Sequence, residues 1–286
     1  MVDLLQLVVY GVVLGSILTL GAIGVSLLYG VLRFSNFAHG DIMTFGAYCA
    51  YAMVAVLHFP LWASVPFGIA GGALIAVAAD RLVYKHLRRT RPVILVISSF
   101  GMALIIRSIV MLIWGVRDHS YVKGIQMPIH LGPIMIRPDH LMILGGCVVL
   151  VIGIHLFLRH TRMGKAMRAL ADNMDLAGVT GIDSERVILW TWAVGGGLAA
   201  AAGIFLAIDS RLTTMMGWSA LLPVFAAAIL GGLGRPYGAI LGGMSIGIVS
   251  ELSTAVIDPS YKPAVAFVVM ILMLVVRPTG LLGARS

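Results

Sequence analysis

The sequence predicts an all-α polytopic membrane protein, on three observations. Of its 286 residues, 60% are hydrophobic and 11% charged, whereas soluble domains carry roughly a quarter charged residues. The apolar residues fall in runs long enough to cross a bilayer, which takes about 20 residues of helix. The basic residues fall in the connections between those runs, and in alternate ones. The chain is therefore read as a single transmembrane domain over residues 1–286, with no water-facing domain.

Taken in order, the candidate spans are 4–29, 42–58, 61–80, 93–114, 140–158, 187–207, 219–234, 238–257 and 261–276, about nine, or eight if one of the short runs fails to cross. The run 4–29 follows Met1-Val2-Asp3, which has no basic region, and no small-residue cleavage site closes it. It is expected to be a retained span and not a signal peptide. The runs 42–58 and 219–234 are short and are expected to be broken or re-entrant.

Charge sets the orientation. Arg81, Lys85, Arg88, Arg89 and Arg91 cluster in one connection, and Arg159, Arg162, Lys165 and Arg168 in another. Two spans separate them, so both lie on one side, expected to be cytoplasmic. Arg33, Arg235, Arg277 and Arg285 fall on that side too, which gives an N-out, C-in chain. The extracytoplasmic connection, about 115–139, has mixed charge. The net charge of +8 is thus a topology signal rather than a nucleic-acid footprint, and no nucleic-acid partner is expected. Trp62, Trp114, Trp190, Trp192 and Trp218 lie at predicted span ends, where indoles favour the interface. Cys49 and Cys147 both lie in apolar runs and read as small core residues.

Polar exceptions mark candidate sites. The stretch RFSNFAHGD, Arg33–Asp41, packs an Arg, an Asn, a His and an Asp between two spans. It is expected at the cytoplasmic end of a break, with Asn36, Phe37, His39, Gly40 and Asp41 lining a substrate pathway or gate and Gly40 allowing the turn. The structural alternative is that Asn36 or Asp41 merely caps the following helix. Arg107 and Glu251 sit within spans, and either line a pathway or snorkel to the interface. Glycines are dense, and GDIMTFGA from Gly40 and GLGRPYGA from Gly232 share a pattern that suggests pseudo-symmetric halves. Gly231, Gly232 and Gly234 are placed with the pathway candidates on this ground.

The longest cytoplasmic connection, about 159–186, contains a helical pattern over Lys165–Ala171. Asp172, Asn173 and Asp175 break it, Asp175 could cap a second short turn, and Gly178 and Gly181 reset direction. A surface helix exposing Arg168 and Asp172 is expected to meet a soluble partner or simply lie on the membrane. No G-x-x-x-x-G-K-[ST] loop, H-E-x-x-H, G-x-S-x-G or cysteine cluster occurs, so no phosphate loop, metal or cofactor is expected and the chain reads as a non-enzyme.

SNFAHGDIMTFGAY (Ser35–Tyr48), GGLGRPYGAILGG (Gly231–Gly243), TRMGKAMRALADNMDLAGVTGID (Thr161–Asp183) and RPTGLLG (Arg277–Gly283) together resemble the LivH-type branched-chain amino-acid permeases, in matching order and length. The resemblance implies a membrane subunit of a bacterial inner-membrane ABC importer. It implies a second permease subunit, identical or not, two ATP-binding subunits, a periplasmic substrate-binding protein, and an amino-acid cargo. It also implies that Gly164, Arg168, Asp172 and Gly181 belong to the loop that couples to the ATPase. A paralogous importer of urea, short amides or other amino acids shares much of the signature. A stand-alone secondary transporter would be expected to bury coupling carboxylates in mid-span, where only Glu251 is a candidate.

Overall fold

The computed structural model describes residues 2–88, 90–121, 129–131, 134–277 and 279–282. Arg89, Gly283 and Arg285, named above, lie outside the described residues.

Apolar composition makes nearly every described segment helical. The chain runs α1 (Val2–Leu32), α2 (His39–Leu57), α3 (Leu61–Ala79), a π-turn (Asp80–Tyr84), α4 (Lys85–Leu87), α5 (Pro92–Trp114), α6 (Pro138–His160), α7 (Arg162–Asp172), α8 (Met174–Val179), α9 (Ser184–Asp209), α10 (Met216–Gly231), α11 (Pro236–Ser253) and α12 (Lys262–Val276). Seven helical segments are long and apolar enough to span a membrane, and α10 is a shorter apolar helix. Every predicted span corresponds to a helix. A small antiparallel hairpin, β1 (Ile129–Leu131) and β2 (Ile134–Ile136), was not anticipated. Its Met135 N–H donates to Gln6 Oε1, which ties the hairpin to the start of α1.

The loops sort to two ends of the bundle. At one end Arg33 donates to the Ala171 carbonyl, Arg88 pairs with Glu185, and the Leu281 N–H donates to the Leu230 carbonyl. At the other, Arg137 pairs with Asp209, Glu251 with Lys262, and His119 exchanges backbone bonds with Leu212. The predicted basic connections share the first end, called here the basic end.

Between helices in lipid there is no hydrophobic driving force, so close packing by small residues must supply the attraction. Gly11 and Gly15 of α1 meet the backbone of Gly243–Ile248 on α11. Gly196 and Ala200 of α9 meet Gly72 and Ala76 of α3. These seams place α1 and α9, the most buried long helices, at the centre. Trp192 corrects the expectation of an interfacial indole: it is fully buried in α9 and stacks on Tyr84 at 4.9 Å. Phe34 and Tyr84, both from the basic end, cover the ring there.

Candidate functional site: the buried polar knot at Arg33–Asp41

The chain reverses sharply after α1. Arg33 takes a left-handed backbone with φ 57° and is the residue that makes the turn. Gly40 does not serve that purpose, because it already lies in the first turn of α2. Its missing side chain instead admits Gly217: a Cβ on Gly40 would lie 2.9 Å from the Gly217 carbonyl carbon. The Gly217 N–H also donates to Thr44 Oγ1 at 3.1 Å. The two short helices, α2 and α10, therefore begin against each other inside the bundle.

Residues 33–38 carry the chain back inward. His39 lies against Gly21 and Gly24 of α1, eight to eleven residues before the end of that helix, or about 12–16 Å at 1.5 Å per residue. Arg33 and Phe34 stay at the basic end, where both line a cavity with Tyr84 and Arg88. The expectation that the whole knot marks the end of a break is thus corrected: Asn36, His39 and Asp41 are buried within the bundle. The return is made by an irregular segment, left-handed at Arg33 and turned at Phe37–Ala38.

Each polar group of the knot has a definite place. Asn36 Oδ1 accepts from the Ala38 N–H at 3.1 Å and from Tyr84 Oη at 3.2 Å, organising the turn before α2. Its Nδ2 has no partner among the described residues. His39 Nε2 lies 3.1 Å from the Gly21 carbonyl. A carbonyl can only accept, so Nε2 carries the proton and donates, and Nδ1 is left without a partner among the described residues. Phe37 N–H donates to Ser99 Oγ at 3.0 Å, and its ring stacks on Phe100 at 4.2 Å. Asp41 accepts two bonds from Arg107 of α5, Nε to Oδ1 at 2.9 Å and Nη2 to Oδ2 at 3.0 Å. Asp41 therefore caps nothing, and the residue preceding α2, Ala38, makes no side-chain cap.

The sequence leaves Arg107 either lining a pathway or snorkelling to the interface. It is turned inward to Asp41, with its guanidinium carbon 4.9 Å from the Trp218 ring centre. The signal that could have found the pair was present: a guanidinium inside an apolar run and a carboxylate at the edge of another, each with a strong need for a partner. Glu251 is nearer an end, where Lys262 Nζ donates to it at 2.6 Å.

The glycines of the second motif are not brought to this knot. Gly231 packs on the Gly238 backbone, while Gly232 and Gly234 take positive φ of 105° and 82° in the turn between α10 and α11. That turn is at the basic end, beside Gly30 and residues 280–282. The two glycine-led stretches, from Gly40 and Gly232, thus occupy different depths.

The loop at 159–186 forms two short helices. Thr161 Oγ1 accepts from the Gly164 N–H and caps α7. Gly164 lies within α7, one turn in, where it lets the helix fold back on Phe157 and Leu158 of α6. Asn173, rather than Asp175, caps α8 by accepting from the Leu176 N–H at 3.0 Å. Gly181 takes a φ of 84°, which only glycine adopts freely. Met167 and Leu170 face inward, while Arg168 and Asp172 are exposed. On α8, Met174, Leu176 and Val179 are exposed apolar residues. A cavity of about 610 Å³ opens between these helices, the end of α1 and the start of α9, lined by Arg33, Arg88, Leu170, Asp172, Glu185 and Ile188 among others. At its inner edge Arg88 Nη2 donates to both oxygens of the fully buried Asp80, at 2.7 and 2.5 Å.

Comparison with known proteins agrees with this architecture. Residues 7–274 match the family model described as the branched-chain amino acid transport system / permease component. The chain is 34% identical to the high-affinity branched-chain amino acid transport system permease protein LivH of Escherichia coli strain K12, over 98% of this chain and 95% of that one. It is 31% identical to the permease protein BraD of Pseudomonas aeruginosa, described in the same terms, with the same coverage. Among solved structures, PsaBC from Streptococcus pneumoniae in complex with Fab shares the fold at a TM-score of 0.53 and 13% identity, covering 96% of this chain and 92% of that chain. The match spans the helical core from α1 to α12, and the chain belongs to the branched-chain amino acid transport system permease family.

Proposed function

We propose that this chain is the membrane-spanning permease subunit of a binding-protein-dependent ABC importer for branched-chain amino acids. The observation that carries the reading is the near end-to-end similarity to LivH, a permease of high-affinity branched-chain amino acid transport. The multi-pass helical bundle with a re-entrant connection supports it.

The division of labour follows from the surface chemistry. ATP is hydrolysed by two separate subunits, in keeping with the lack of a G-x-x-x-x-G-K-[ST] loop in the sequence. Those subunits dock on the 159–186 loop. There α8 offers the apolar Met174, Leu176 and Val179 beside the exposed Arg168 and Asp172 of α7. Gly164 and Gly181 set the angles of that loop. The basic end faces the cytoplasm, as its Lys and Arg content favours, and the chain sits N-out, C-in in the inner membrane. The opposite end, including the connection 115–139, receives the periplasmic binding protein. A second permease subunit completes the pathway, and Asn36, Phe37, His39, Gly40 and Asp41 lie beside it as part of the gate. Gly231, Gly232 and Gly234 hinge the α10–α11 turn on the cytoplasmic side of the same path. No cofactor enters this account, and the whole chain acts as one domain.

The test is uptake of labelled leucine, isoleucine, valine, urea and acetamide by cells lacking the gene and by the same cells complemented with it. Complementation should restore uptake of the three branched-chain amino acids. Restoration of urea or acetamide uptake alone would transfer the chain to a paralogous importer, and uptake that persists without ATP would make it a secondary transporter.

A further inference from the structure

The Arg107–Asp41 pair uses only half of the guanidinium. Asp41 takes the side edge, through Nε and Nη2. Nη1 makes no hydrogen bond among the described residues, and the side chain keeps 12% of its surface exposed against 1% for Asp41. A guanidinium has five N–H donors in a rigid plane, and its end edge can take a second carboxylate while the first remains bound. Arg107 lies seven residues before the end of α5, or about 10 Å inside it. A partly exposed guanidinium at that depth does not face hydrocarbon without large cost.

The surroundings suit a particular ligand. Trp218 lies over the guanidinium, Phe100 stands edge-on to Trp218 at 6.2 Å, and Phe37 stacks on Phe100 at 4.2 Å. Trp218 and Phe100 stay 37% and 40% exposed. One open surface therefore presents an anion receptor beside an aromatic wall. The pair itself has no net charge, so a zwitterion added to it leaves the site neutral, whereas an acidic or basic cargo would bring an uncompensated charge into the membrane.

We infer that Arg107 receives the carboxylate of the amino-acid cargo in transit, with Asp41 holding the guanidinium in position and Phe37, Phe100 and Trp218 receiving the aliphatic side chain. This rests on the importer reading given above and adds to it the residue that handles the cargo's charged end. It also assigns the open face of α5 and α10 to the pathway.

The test uses the complete importer in proteoliposomes, with its ATP-binding subunits, second permease and leucine-loaded binding protein. Arg107→Lys keeps the charge and one bond to Asp41 but loses the second planar edge. Leucine uptake per ATP hydrolysed should fall at least about tenfold, with subunit recovery and stimulated ATP hydrolysis retained. The double exchange Asp41→Arg with Arg107→Asp should recover subunit yield but not uptake. Should either of these variants fail to assemble, Trp218→Ala decides, since that ring is partly exposed. It should lower uptake per ATP at least about fivefold without loss of yield. Wild-type uptake per ATP in Arg107→Lys or Trp218→Ala, or uptake restored by the exchange, would overturn the inference. A wild-type importer that moves no leucine would instead overturn the importer reading.

Discussion

Gly40→Ala tests whether the crossing of α2 and α10 positions the polar knot. The added Cβ would lie 2.9 Å from the Gly217 carbonyl carbon and closer still to its oxygen. Carbon atoms pack best at about 3.5–4.0 Å, so the helices must part by roughly 0.6–1 Å. Backbone occupies the contact, so no side chain can rotate away. Moving α2 strains the His39 bond to Gly21, now 3.1 Å, and the Asp41 bonds to Arg107, now 2.9 and 3.0 Å. Overpacking of this kind costs about 1–3 kcal/mol, and opening the ion pair would add about 3–5 kcal/mol. The control is Gly101→Ala on α5, where a Cβ meets nothing within 4 Å. That change should be neutral or stabilise by up to about 1 kcal/mol through helix propensity. The assay is thermal unfolding of the detergent-solubilised protein. Overpacking alone should lower the Gly40→Ala midpoint by about 2–10 °C relative to Gly101→Ala. Equal midpoints would refute the claim that contact between these glycines sets the position of α2.

Three further outcomes are expected. Asp80→Ala removes the buried carboxylate that accepts both bonds from Arg88 Nη2 and leaves Arg88 paired with Glu185 alone, and should destabilise the solubilised chain by about 1–3 kcal/mol in denaturant titration. Trp192→Ala removes a fully buried ring stacked on Tyr84, and should cost about 3–5 kcal/mol in the same assay. Gly164→Val drives a side chain into Phe157 and Leu158 of α6 and should tilt α7. Leucine uptake should then fall by about tenfold or more with the chain still present in the membrane, as for other misplaced coupling geometry. Normal uptake by that variant would separate α7 from the coupling path.

How much of this was legible in the sequence depends on the range of the interaction. Helix positions followed from apolar runs alone, because a bilayer makes length and hydropathy decisive. The shared end of the basic loops followed from counting spans between clusters, as the contacts of Arg33, Arg88 and Arg235 at that end agree. Asp41 and His39 stood out because polar groups are costly in such surroundings. Their partners did not stand out. Asp41 and Arg107 are 66 residues apart, and no local periodicity links them. The return of residues 33–38 into the bundle was also hidden, since a short irregular segment has no periodic signature. The burial of Trp192 was hidden for a related reason: Phe34 and Tyr84, which cover the ring, are distant in sequence.

The central claim, that this chain is one part of an ATP-driven importer, is tested most directly by mild detergent extraction from native membranes and mass spectrometry of what accompanies it. An ATP-binding subunit carrying a phosphate loop and a second permease should be recovered with it, in stoichiometric amounts. Recovery of the chain alone, still able to move leucine into vesicles without ATP, would contradict it.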